Sequence, residues 1–310
     1  MTARPAPRGP VLVTGATGFV GRTLVPHLES AGWTVRPATR AEVGAIDPDT
    51  DWHPLLEGID AVVHLAARVH VMRDRAADLE REFDVTNHLA TARLAAQAEA
   101  AGVRRFVFLS SIKVHGDSSD RALGPGDAPA PADAYGRSKL AAERALAEAA
   151  NAMSVVVLRP PLVYGPGVKG NFRTMMNAIR RGWPLPLGAI ENRRSLIYVG
   201  NLADAIRAAL DAPPGLYLPS DRDDVSTPEL IRRTAAALHC PARLLPVPPA
   251  LLHALAGIAG KTAAIERLTG SLTVDGALPG WTPPYTMAAG LAATADRFGA
   301  STLATASGPH

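Results

Sequence analysis

At 310 residues, 47% hydrophobic and 20% charged, the chain can bury a large core in one large or two closely joined domains. A net charge of +3, with no basic stripe interleaved with aromatics, argues against nucleic acid as a partner. The single cysteine, Cys240, excludes an intrachain disulfide and a cysteine-rich zinc site, and no metal is expected.

In chain order, residues 1–9 form a flexible lead with no secretory h-region. Val11–Val13 is then a short apolar strand, followed by Gly15, Gly18 and Gly21. An amphipathic helix follows, with Phe19, Val20, Leu24, Val25 and Leu28 on one face. Three glycines alone would fit any tight loop. A strand before them and a helix after make a dinucleotide-binding turn, where bare backbone approaches a pyrophosphate and the helix N-terminus faces it. Thr34–Thr39 is a second strand. An acidic residue near its end would hold a ribose 2′-hydroxyl, but Thr39 and Arg40 stand there, with Arg36 nearby. The planar fork of Arg40 suits a 2′-phosphate, favouring NADP(H) over NAD(H); a solvated surface arginine is the alternative.

Ile59–Ala67 reads as a buried strand running into small residues, which leave room for a ligand at its carboxyl end. His64 within it reads as packed rather than catalytic. Asp78–Ala101 is a long helical segment containing Asn87, and Val103–Leu109 is the strand that delivers Ser110 and Ser111. Residues 116–134 form a Gly/Pro/Asp-rich loop of active-site length. A helix from about Asp133 to Ala150 carries Tyr135 and Lys139, and Ser154–Leu158 is a further strand, closed by Arg159-Pro160-Pro161. This alternation predicts an α/β fold, a Rossmann-type doubly wound parallel sheet over residues 10–167. Residues 168–310 read as a smaller, mainly substrate-binding lobe, with a segment near 215–220 returning to the main sheet. Leu251–Gly260 is apolar but shorter than the ~20 residues of a membrane span, and a cytoplasmic setting is expected.

Tyr135 and Lys139 lie four apart, so on a helix they share one face. An ammonium beside a phenol favours phenolate and would bring the tyrosine pKa down toward neutrality, where it serves as an acid/base. Ser110 or Ser111 could hold the same substrate oxygen while a nicotinamide carries the hydride.

Thr-Gly-Ala-Thr-Gly-Phe-Val-Gly, His-Leu-Ala-Ala, Ser-Ser-x-x-Val-x-Gly, Tyr-x-x-x-Lys and Arg-Pro-x-x-Val-Tyr-Gly-Pro-Gly follow one another in that order. In these motifs residues 10–290 resemble the extended short-chain dehydrogenase/reductase family, in its nucleotide-sugar epimerase/dehydratase branch. The resemblance implies a catalytic set of Ser111, Tyr135 and Lys139. It implies cofactor contacts from Gly15, Thr17, Gly18, Phe19, Val20 and Gly21, from Arg40, Ala45 and Ile46, from Leu65, Ala66 and Ala67, and from Tyr135, Lys139, Pro160 and Val163. The implied substrate wall is Ser110, Ser111, Tyr135, Asn171 and Arg194. Asn87 matches a helix asparagine that is structural as often as catalytic. Arg193 and Arg194 read as a diphosphate clamp or as a solvated pair.

Within that branch the chain is most similar to bacterial UDP-sugar 4-epimerase-like reductases, including those that make UDP-N-acetylquinovosamine for surface polysaccharide assembly. Three positions depart from the pattern. His115 replaces an aromatic or Asn next to the substrate, Ala45-Ile46 replaces an acidic-apolar pair, and Val274–Trp281 lacks an arginine often directed at the substrate phosphates. The expected activity is reduction of a 4-keto-6-deoxy amino sugar nucleotide by NADPH. A UDP-sugar 4-epimerase with tightly bound NAD is the alternative. A non-catalytic NADP(H) sensor or scaffold is a third reading, against which the Ser111/Tyr135/Lys139 set argues. The resemblance also implies a homodimer through helices near 84–101 and 136–150. Ala92, Ala95, Ala96, Ala141, Ala142 and Ala145 would allow close contact there, unless those faces pack within one subunit.

Overall fold

The protein is described by a computed structural model covering residues 8–69, 78–258 and 262–306. Residues 1–7 of the expected flexible lead lie outside these, and Gly9 already belongs to the first strand. The strands are β1 (Arg8–Thr14), β2 (Trp33–Ala38), β3 (Ala61–His64), β4 (Arg105–Leu109), β5 (Ser154–Leu158), β6 (Leu162–Tyr164), β7 (Leu196–Tyr198) and β8 (Gly215–Tyr217). The helices that matter here are α1 (Gly21–Ser30), α2 (Arg40–Val43), α3 (His53–Leu56), α4 (Leu79–Phe83), α5 (Ala90–Ala100), α6 (Ala134–Ala149), α7 (Gly170–Arg180), α8 (Val199–Ala209) and α9 (Thr227–Ala237).

Six strands make one parallel sheet in the order β2-β1-β3-β4-β5-β8, and β6 pairs with β7 in a small second sheet. Successive residues of β1 feed two cores, as the two-residue period of a strand covered on both faces requires. Val11 and Val13 pack with Leu24 and Leu28 of α1 and with Leu202 and Ile206 of α8. Leu12 packs with Leu94 of α5 and Leu146 of α6. From β1 the chain moves outward to β2, then crosses to β3 on the other side. That reversal is the topological switch point, where an open α/β sheet leaves a crevice beyond its carboxyl ends.

The helical segment expected over Asp78–Ala101 is α4 and α5 joined by a π-helical turn, Asp84–Leu89. Asn87 lies buried in that turn. Helices α5 and α6 pack against each other, and Ala95 and Ala142 are fully buried in this subunit's own core. Of the other four alanines, Ala92, Ala141 and Ala145 are half-buried and Ala96 is exposed.

The smaller lobe is built on an aromatic cluster, with Tyr164 of β6 stacked on Phe172 of α7 at 5.6 Å. Phe19 departs from the apolar face expected of α1 and packs against this lobe's core, so the glycine turn is seated against the second lobe. The 116–134 loop is pinned to the same half: the Ser119 amide donates to the Ser271 carbonyl at 2.8 Å, and the Leu123 amide to that of Thr273 at 2.9 Å. Among the described residues no helix is long and apolar enough to cross a membrane.

Candidate active site

The glycine turn forms a cradle made of backbone. Gly15 has φ +68°, and a Cβ there would come 2.9 Å from the Ala66 amide nitrogen. A Cβ on Gly21 would lie 2.3 Å from the Gly15 carbonyl oxygen, which lets α1 start tight against β1. A Cβ on Gly18 would meet only that carbonyl, at 3.0 Å, so its other side is open. This bare strip, between Leu65-Ala66-Ala67 and the head of α1, fits the pyrophosphate of a dinucleotide.

Thr14 ties the two strands at the switch point. Its Oγ1 accepts from the Leu65 and Ala66 amides, each at 3.2 Å, and donates to His64 Nδ1 at 2.7 Å. His64 Nε2 then donates to Thr91 Oγ1 at 3.0 Å, and that hydroxyl to the Asn87 carbonyl at 2.7 Å. Burial, with the Lys139 charge adding to it, pulls the His64 pKa down to about 3. A neutral, fully bonded imidazole of this kind holds strands together.

Arg40 is exposed at the start of α2, on the rim beyond β2. Arg36 is turned elsewhere, donating to the Leu55 and Glu57 carbonyls at 2.9 Å each. The end of β2 does carry an acid: Glu42 Oε2 accepts from the Thr39 amide at 2.8 Å and from its hydroxyl at 3.0 Å, closing a capping box. That carboxylate lies four residues past the strand, and only the cap folds it back to the strand end. Ala45 is exposed, and Ile46 leans on the core beneath.

Ser111, Tyr135 and Lys139 come together where β4 ends against α6. Ser111 caps the 3-10 turn Ile112–His115, its Oγ accepting from the Lys113 amide at 3.3 Å. Asp133 caps α6 by accepting from the Gly136 amide at 2.8 Å, which places Tyr135 in the first turn, its ring edge-on to Phe83. Burial pushes the phenol up to about 12, and hydrogen bonding to the Ser111 hydroxyl draws it back. The fully buried Lys139 Nζ donates to the Leu109 carbonyl at 2.8 Å and sits 4.5 Å over the Phe108 ring. Burial draws the Lys139 pKa down to about 7, against the opposing pull of Glu143.

The lowered tyrosine pKa expected from spacing is therefore corrected. Four-residue spacing fixes a shared face, but Lys139 turns its nitrogen to β4 while the low-dielectric site disfavours phenolate. Asn87 supports the same wall: it accepts from the Arg68 amide at 2.7 Å and donates to Ser138 Oγ at 3.0 Å, which donates to the Tyr135 carbonyl at 2.9 Å. Pro160 is buried behind this wall, accepting from the Ile112 amide at 3.0 Å, and Val163 leans on the core beside it. Ser110 is turned away from Ser111 into the interior, where it donates to Glu143. His115 is likewise buried, 2.7 Å from Arg159.

On the second lobe, Arg194 is half-buried and donates to the Arg267 and Gly270 carbonyls at 2.8 and 2.9 Å. Arg193 is exposed, because neighbours in an extended segment face opposite sides, so the two do not form one clamp. Asn171 is exposed in the first turn of α7. Two cations unread in the sequence complete the rim. Arg267 Nε lies 3.5 Å from Asp117, and Lys113 pairs with Asp117 and lies 3.2 Å from Asp133.

A family model described as NAD dependent epimerase/dehydratase matches residues 11–217. A UDP-glucose 4-epimerase from Vibrio cholerae is 41% identical, covering 93% of this chain and 95% of its own. An N-acetyl-alpha-D-glucosaminyl-diphospho-ditrans,octacis-undecaprenol 4-epimerase from Escherichia coli O157:H7 is 28% identical, with 91% and 92% covered. Among solved structures, MoeE5 in complex with UDP-glucose and NAD superposes with a TM-score of 0.74 at 27% identity, covering 95% of this chain and all of its own.

Proposed function

The chain belongs to the NAD-dependent epimerase/dehydratase family, and from that premise we propose that it transfers hydride at C4 of a UDP-sugar, as a 4-epimerase. What supports this reading is the Ser111 hydroxyl bonded to the Tyr135 phenol, with Lys139 one turn along the same helix, at the carboxyl end of the sheet that also carries the glycine cradle. A dinucleotide held by its pyrophosphate on that cradle would supply, through its nicotinamide, the hydride acceptor and donor. Tyr135 holds its proton at neutral pH and gives it to a C4 oxygen as a keto group is reduced. Ser111 donates a second hydrogen bond to that oxygen. Lys139, buried one turn along the helix with its pKa drawn to about 7, is a group that can change charge near neutral pH as the proton moves. Arg194, with Arg267 and Lys113, offers the guanidinium and ammonium groups that a diphosphate takes.

The 41% identical relative, named for epimerisation and matched along nearly all its length, favours a retained NAD over a consumed reductant. Glu42, folded back onto Thr39 at the end of β2, is the carboxylate that would take the adenosine ribose hydroxyls of NAD. Exposed Arg40 favours a second reading, a 4-keto UDP-sugar reductase using NADPH. The test is a screen of the purified protein against UDP-glucose, UDP-N-acetylglucosamine and 4-keto UDP- and dTDP-sugars. Interconversion at C4 with bound, non-exchanging NAD is expected; stoichiometric NADPH consumption selects the reductase, and cofactor binding without turnover of any sugar refutes both. The same reading takes the protein as a homodimer through the exposed parts of α5 and α6. Light scattering should then give twice 32.4 kDa.

A further inference from the structure

Behind the candidate catalytic wall lies a charged network that the proposed chemistry does not use. Ser110, His115, Glu143 and Arg159 are 3%, 6%, 9% and 4% exposed. Arg159 straddles the Glu143 carboxylate, with Nε donating to Oε1 at 2.9 Å and Nη2 donating to Oε2. Its Nη1 donates to His115 Nε2 at 2.7 Å, and the Ser110 hydroxyl donates to Glu143 Oε1. These four residues sit on separate pieces of the site. Ser110 precedes Ser111 at the exit of β4, and His115 closes the 3-10 turn that Ser111 opens. Glu143 stands one turn beyond Lys139 on α6, and Arg159 follows β5. Backbone bonds run alongside, from the Ser110 amide to the Leu158 carbonyl at 2.8 Å and from the Ile112 amide to that of Pro160 at 3.0 Å.

We propose that Glu143 and Arg159 are positioning residues for hydride transfer, a buried ion pair that holds the Ser111 turn and the Tyr135/Lys139 helix in one frame. The proposal rests on the C4 reading above. A buried pair is a poor way to gain stability, because desolvating two charges offsets their attraction. It is a good way to fix geometry, since a bidentate fork accepts few orientations. The pair also acts on the amine. Lys139 is faced by neutral His64 of β3, by the Phe108 ring and Leu109 carbonyl of β4, and by Glu143 of its own helix. Of these, Glu143 carries the negative charge that favours the ammonium.

The sign follows. Without the Glu143 carboxylate the Lys139 pKa falls, so the ammonium that turnover needs is lost at lower pH. Changing Glu143 alone would leave the guanidinium buried and unpaired, and that variant can fail to fold. The double variant Glu143→Gln/Arg159→Met removes both charges and keeps the volume. The expected result is a folded protein with KM within about threefold of wild type and kcat reduced about 10–100-fold, the cost of a misplaced constellation. The alkaline limb of kcat against pH moves down, since Glu143 is the charge that raises the Lys139 pKa and Arg159 is not among the groups that shift it. A folded double variant with wild-type kcat and an unmoved profile overturns the proposal. Binding of NADH or NADPH, followed by nicotinamide fluorescence against pH, needs no sugar and reads the same ammonium. Its midpoint must move in the same direction, and an unmoved midpoint overturns the positioning role even if the sugar screen finds no substrate. Failure of that screen for wild type counts instead against the C4 reading.

Discussion

The glycine cradle and the cationic rim around Arg194 are both places to receive phosphate, and they are built in opposite ways. The cradle is backbone, assembled from residues within one turn of each other, and its tolerance is set by distances such as the 2.3 Å from a Gly21 Cβ to the Gly15 carbonyl. The rim is side chain, gathered from Lys113, Arg194 and Arg267, which only the packing of the 116–134 loop and the 267–275 segment brings near one another. A backbone site senses shape and fails all at once. A side-chain site senses charge and fails by degrees.

The sharpest way to break that contrast is Gly21→Ala. The added methyl has no room, and the overpacking should cost about 3 kcal/mol in stability, with cofactor binding lost alongside. Calorimetry and cofactor titration check both, and a variant that binds NAD normally would show the cradle to be softer than its geometry. At the rim, Arg194→Ala should weaken UDP-sugar binding by about 1.5–3 kcal/mol, the range for a hydrogen bond to a charged group, and leave cofactor affinity within about twofold. Equal losses for both ligands would erase the distinction between the two sites. For Arg40→Ala the prediction is a loss of about 1.5 kcal/mol for NADPH and little for NADH, since the side chain is exposed and screened. Equal affinities would leave the adenosine end to Glu42.

Lys139→Met gives a small change in stability of the opposite sign. The folded pKa of Lys139, about 7, lies below its ordinary 10.5, so between those values the unfolded chain binds the proton more tightly. Stability from this group therefore rises with pH across that window, and the full penalty of burying the charge is present below it. The variant should be inactive yet more stable at pH 7 by about 0.5–2 kcal/mol, and lack that rise. A variant destabilised at pH 7 would mean that the Leu109 and Phe108 contacts outweigh the desolvation.

How much of this is legible in the chain follows the same division. The glycine turn, the alternation of strands and helices, and the shared face of Tyr135 and Lys139 are read from short spacings, because local geometry sets them, while the choice of Ser111 over Ser110 comes from the family resemblance. The packed role of His64 is legible too, from its place inside an apolar strand. What spacing cannot carry is where a long side chain ends. Lys139 shares the face of Tyr135 and still points to Leu109, so the expected fall in the phenol pKa became a rise. Arg193 and Arg194 read as a clamp, but alternation along an extended segment parts them. Arg267 gives no local signal at all, and its place depends on a segment more than seventy residues downstream folding back on residues 193–195. His115, beside the substrate by resemblance, is drawn inward by Arg159 from the end of the neighbouring strand.

The central claim is that the Tyr135 hydroxyl passes the proton while a nicotinamide passes the hydride. Its most direct test is Tyr135→Phe, assayed for C4 conversion of the UDP-sugar that wild type turns over and, in parallel, for NAD(H) binding. The account predicts a loss of about 10²–10⁴-fold in kcat, the usual share of an acid/base, with cofactor affinity essentially kept. Wild-type turnover in that variant would contradict it.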